Sequence, residues 1–188
     1  MSRVWNAILD IDEGDTSSPV FEPITVEEFK DYALMEGFQD TDDSTPVSFD
    51  GEDDLIEYIL RASREAVEKF TRLSLIPKRL IVTLTNKAGM VLLPGAPIHE
   101  IVSLTDEDGT EIDEDNYTIV GSRHKRLKSP LYENMVITYE CGFSRDELPD
   151  ALRLAILIDA LYRFDNRGEK EGVTLCTASR IVAQGFRL

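Results

Sequence analysis

The stretch EDDLIEYILRASREAVEKFTRLSLIPKRLIVTL, residues 52–84, decides the fold class, because the apolar period changes inside it. Up to Leu73, the residues Leu55, Ile59, Ala62, Ala66 and Leu73, with Ile56, Val67 and Phe70 beside them, recur at three- and four-residue spacing. That is one wide face of a helix. Asp50 stands as its N-cap, and acids crowd the first turn, where the helix dipole favours negative charge. Beyond Pro77 the run RLIVTLT alternates as a half-buried strand does. A helix over 51–73 leading directly into β texture predicts an α+β chain.

Toward the N-terminus, Thr25 and Glu28 form a capping box ahead of Val26, Phe29, Tyr32 and Ala33, which predicts a helix over 25–36 closing at Gly37. The segment QDTDDSTPVSFDG is a loop by composition. Residues 1–22 have no sustained period and read as an acidic, extended arm whose Trp5, Ile8, Leu9 and Ile11 need a surface to pack against. Toward the C-terminus, the runs RLIVTLT, MVLLPG, HEIVSLTDEDGTEI, NYTIVG and ENMVITYECG predict a small antiparallel β-sheet within 79–141. Asp108-Gly109 is its tight hairpin turn, glycine supplying the positive φ.

At Ser144 the helical period returns. Pro149 opens a helix over 149–166 that stops at Gly168. Its apolar residues, Leu154 and Ile158 among them, cover nearly the whole circumference, so several sides need covering, by this subunit or by a neighbour. Residues 169–188 carry no acid after Glu171 and read as a second extended arm able to add a strand elsewhere. The domain plan is therefore an arm over 1–22, one domain over 23–168 and an arm over 169–188. The helices at the two ends of that domain pack together, with the sheet inserted between them.

Charge narrows the function. The chain of 188 residues carries 36 acidic and 20 basic side chains, a net of −16, which disfavours a nucleic-acid surface. Residues 1–60 hold 17 acidic and 2 basic residues, and the remainder is nearly neutral. Within that remainder Arg123, Lys125, Arg126 and Lys128 form a basic cluster, and Asp106 to Asp115 an acidic one. Such segregation steers a partner or a second copy of the same chain. No apolar run is long enough to span a membrane, and the first residues lack the form of a secretory signal.

The common chemical motifs fail on inspection. Cys141 and Cys176 sit in no metal or redox spacing and read as small buried apolar residues. His99 and His124 have no motif partner for nucleophilic catalysis. Gly89, Gly95 and Gly109 are isolated, so there is no phosphate loop. The acidic runs starting at Asp40 and Asp106 both miss the glycine and glutamate positions of a calcium loop. No catalytic residue, metal or cofactor is expected.

The order of elements is more specific than any one of them. Thr25 to Glu28, Ala62 to Thr71, Leu93 to Ile98, Ile101 to Leu104, Tyr139 to Gly142 and Leu148 to Leu157 follow one another as the motifs do in the head-tail connector, or adaptor, proteins of long-tailed bacteriophages, which this chain resembles over about residues 23–168. The resemblance implies a non-catalytic virion protein, assembled in the host cytoplasm into a ring of usually twelve subunits. The ring docks beneath the portal protein, carries the next neck or tail-completion protein, and lets DNA pass without binding it specifically. On that footing Asp53, Asp54, Glu57, Asp106 and Asp108 are candidate channel-lining acids. Arg123, Lys125, Arg126, Lys128, Leu154 and Ile158 are candidate subunit-interface residues, and Ile181, Val182 and Phe186 a candidate portal-docking arm. The competing class is an acidic cytosolic inhibitor that mimics nucleic acid.

Overall fold

The computed structural model describes residues 8–14, 21–35, 51–85, 90–122, 124–129, 134–166 and 174–187. The chain divides into two compact units. One comprises residues 1–21 and 73–146, the other residues 22–72 and 147–188.

The first unit is β-structure. A four-stranded antiparallel sheet has the order β1 (Ile8–Gly14), β2 (Lys78–Thr85), β7 (Asn134–Cys141), β4 (Ile98–Asp106). A second sheet of three short strands has the order β3 (Val91–Leu92), β6 (Arg126–Lys128), β5 (Thr118–Val120). Alternation builds the core. Leu80, Val82 and Leu84 of β2 stand opposite Tyr139, Ile137 and Met135 of β7, and all six are buried on one face. Leu93, Leu104, Ile112 and Leu127 are among the residues that join them in that cluster.

The Asp108-Gly109 turn forms as the sequence predicts. Gly109 takes φ +81°, its N–H donates to the Asp106 carbonyl, and Thr105 pairs with Glu111 across the turn. Two of the quoted motifs meet in this unit. The Tyr139 hydroxyl donates to the Pro94 carbonyl at 2.8 Å, and the Gly142 N–H donates to the Pro97 carbonyl at 2.8 Å. Gly142 lies at φ +98°, and a Cβ there would overlap the Ile76 carbonyl, so the strand end tolerates only glycine.

The second unit is helical: α1 (Val26–Met35), α2 (Asp53–Thr71), α3 (Asp150–Asp165) and α4 (Thr177–Ala183). The capping box at α1 is reciprocal, with Thr25 N–H donating to Glu28 Oε2 at 2.8 Å and Glu28 N–H to Thr25 Oγ1 at 3.1 Å. Arg153 of α3 donates to the Pro23 carbonyl and to Glu28 Oε1, and Phe29 meets Phe164 edge-on at 5.6 Å. Helix α2 ends at Arg72, which takes φ 64° and donates its N–H to the Glu68 carbonyl.

Several expectations need correction. Within the N-terminal arm residues 8–14 are extended, as expected, but not free, because they pair with β2 as an edge strand. The C-terminal arm holds no strand among its described residues. Leu175, Ser179 and Ala183 instead recur at helical spacing and are buried. The basic cluster contains strand β6, with Leu127 inward between outward Arg126 and Lys128. The β-region thus forms two sheets rather than one. The inward face of α2 comprises Ile56, Ile59, Leu60, Ser63, Arg64, Val67 and Thr71, while Leu55 is exposed. Glu52, not Asp50, is the N-cap of α2; Asp50, Gly37 and Gly168 lie outside the described residues. Pro149 is the N-cap of α3 rather than a residue of its first turn. Cys141 is buried as expected, whereas Cys176 is only half-buried.

Candidate functional site

The charged and apolar residues that the sequence singled out are divided between the two units. The candidate channel acids split accordingly. Asp53, Asp54 and Glu57 project from the first turns of α2 and are all exposed. Asp53 is already engaged, 2.6 Å from the Lys30 ammonium. Asp106 is a turn builder: its Oδ1 accepts the N–H groups of Asp108 and Thr110 at 3.0 and 2.9 Å. The Asp108 carboxylate itself points to solvent.

Beside the start of α2 the second unit has a groove of about 420 Å³. Ile24 and Leu60, both 2% exposed, form its floor with Val26, and Glu22, Glu27, Asp53 and Glu57 surround it together with one cation, Arg61, 3.8 Å from Glu22. Glu22 is held by Arg64, whose Nε donates to Oε2 at 2.9 Å, while Arg64 Nη1 donates to Glu68 at 2.8 Å. Burial works against the Arg64 charge, but the hydrogen bond to Glu22 and the nearby carboxylates outweigh it, and its pKa is raised. Glu27 and Glu57 make no ion pair among the described residues. This groove was missed from sequence, because its two sides lie some thirty residues apart and meet only when α1 packs on α2.

Of the candidate interface residues, Arg126 and Lys128 are exposed and form no ion pair among the described residues. Lys125 donates from Nζ to the His99 carbonyl at 3.0 Å. Arg123 lies outside the described residues. On α3, Leu154 is 40% exposed and Ile158 half-buried, while Leu152, Ala155, Ile156, Ala160 and Phe164 face inward. On α4, Ile181 is 68% exposed, with Val182 and Phe186 half-buried.

Helix α4 is held to α3 by polar contacts the sequence gave no sign of. Asp159, 0% exposed, accepts the Cys176 N–H at 2.7 Å and Arg163 Nε at 2.6 Å. Ser179 Oγ donates to the Ala155 carbonyl at 2.7 Å. Burial, with the Asp159 charge adding to it, raises the Cys176 thiol pKa. His99 Nε2 hydrogen-bonds the Gly142 carbonyl. Among the described residues no group of three or more potential ligands could hold a metal ion.

The α+β fold of this chain is similar to that of chains in solved gene transfer agent particles. It is similar to a chain in the neck of an empty gene transfer agent (GTA) particle computed with C6 symmetry, at a TM-score of 0.70 and 21% identity over 95% of each chain. It is also similar to chains in the virion of a native GTA particle (TM-score 0.69, 22% identity) and in the neck of a native GTA particle computed with C12 symmetry (TM-score 0.70, 19% identity), again over 95% of each chain. No protein-family profile and no curated protein matches the chain at the level of sequence.

Proposed function

We propose that this chain is a structural head-tail connector: a ring subunit that sits beneath the portal of a phage-like particle, carries the next neck component, and lets DNA pass. It acts by assembly and without catalysis. The observation that carries this reading is the similarity of fold, along 95% of both chains, to chains of GTA necks. The C12 symmetry of one such neck supports a ring of about twelve copies. Two differently charged surfaces on one subunit suit the heterologous contact a closed ring requires.

Within this reading the acids Asp53, Asp54, Glu57, Asp106 and Asp108 are candidates for the bore, where like charge keeps the duplex from adhering. Asp54, Glu57 and Asp108 are the strongest of them, being exposed and without an ion-pair partner among the described residues. The portal-docking element is the exposed side of α4 around Ile181, with Val182 and Phe186. Because it is helical, docking in a groove suits it better than strand addition. The test is co-purification with the portal protein of the same particle. The wild type is expected to bind as a ring. Ile181→Asp, at a position 68% exposed, is expected to keep the fold and lose the portal. Retained binding by that variant contradicts the docking assignment.

A further inference from the structure

The groove beside α2 and the hairpin β5–β6 carry complementary, unspent features. We infer that the outward face of the β5–β6 hairpin of one copy seats in the Glu27–Glu57 groove of the next copy. This inference rests on the ring reading and names the two surfaces that close the ring.

The hairpin face follows from its register. Val120 pairs with Arg126 and Thr118 with Lys128, and all four are exposed, so they stand together on one side of the ribbon. Val120, 46% exposed, is thus an apolar residue flanked by two cations that have no counter-ion among the described residues. The groove is the converse. Its floor is Ile24, Leu60 and Val26, and it is lined by four carboxylates and one cation, Arg61; Glu22 is compensated within the subunit by Arg64 and, at 3.8 Å, by Arg61, and Asp53 by Lys30. Glu27 and Glu57 are left over, two charges for two charges.

Seating Val120 in the groove also covers an exposed valine, with the half-buried Val26 as its apolar contact, since Ile24 and Leu60 are already buried. The exposed face of α4 offers a single cation, Arg180, beside Ile181, a poorer complement to two free carboxylates. Because the donor and acceptor surfaces differ, the contact is heterologous and propagates head to tail until it closes. On this assignment Glu57 faces a neighbouring subunit rather than the bore.

All four charged residues are exposed, so reversing them should leave each subunit folded, as circular dichroism will check. One variant carries Glu27→Lys and Glu57→Lys, the other Arg126→Glu and Lys128→Glu. Each alone opposes like charges at every contact and is expected to raise the concentration needed for assembly about 100-fold. An equimolar mixture of the two restores opposite charges at every contact of an alternating ring. It is expected to reassemble, as seen by light scattering and negative-stain images. Rings formed by either variant alone at wild-type concentrations, or a mixture that stays monomeric, overturn the assignment. A wild type that forms no ring contradicts the ring reading itself, so the two failures are distinct.

Discussion

Asp159→Asn is the most informative single change to the packing. The carboxylate is fully buried and holds two donors, the Cys176 N–H at the start of α4 and Arg163 Nε one turn along α3. The amide keeps one acceptor oxygen but turns an N–H toward one of the two donors and removes the charge from both bonds. Losing a charge-assisted hydrogen bond costs about 1.5–3 kcal/mol. The Arg163 side chain is 23% exposed and can turn to water, so the cost falls below the ~3–5 kcal/mol of a wholly buried broken pair. We expect ~2 kcal/mol, or a melting temperature lower by roughly 4–8 °C in a chain of this length.

The loss should concentrate where the bonds are. Opening of α4 should become ~30-fold more frequent, at about 1.4 kcal/mol per factor of ten. Limited trypsin digestion read by mass spectrometry follows this directly, through cleavage after Arg180. Arg163→Met strands the buried carboxylate and should cost more, about 3 kcal/mol. An Asp159→Asn protein within about 0.5 kcal/mol of the wild type, with unchanged cleavage at Arg180, would refute the assignment of Asp159 as the latch of α4.

Three further outcomes follow from the same geometry. Gly142→Ala combines a positive φ with overlap of the Ile76 carbonyl and should cost about 3 kcal/mol or more in urea denaturation, whereas Gly109→Ala, at φ +81° with open space around it, should cost only about 1–2 kcal/mol. Tyr139 is held neutral by burial, so its folded pKa lies above the unfolded value of 10.0 and the unfolded chain releases the phenol proton first. The contribution of Tyr139 to stability should therefore be level below about pH 10 and fall above it. Tyr139→Phe should lose about 1 kcal/mol at neutral pH through the orphaned Pro94 carbonyl and show a shallower alkaline fall. Thr25→Ala removes half of the capping box and should cost about 1 kcal/mol by thermal unfolding.

Local rules account for what the sequence disclosed. The capping box at Thr25 and Glu28, the Asp108-Gly109 turn and the alternation of β2 and β7 are set by residues within a few positions of each other, and each forms as read. The failures needed distant partners. An apolar count could not tell that α2 would turn Leu60 and Arg64 inward and leave Leu55 outside, because Glu22 and Glu68 make the inward arginine affordable. Strand β1 depends on β2, some seventy residues away, and α4 depends on a carboxylate one helix earlier. The groove depends on α1 meeting α2. Single exposed charges such as Asp54 and Lys128 were legible as candidates, but only pairing and burial separate a free charge from a spent one such as Asp53.

The central claim is that this chain assembles into a closed ring. Light scattering of the purified protein over a concentration series, with negative-stain images of the largest species, tests it most directly. The account predicts closed rings of about twelve copies that dissociate as salt rises. A strict monomer or dimer at every concentration, alone and with portal protein added, contradicts it.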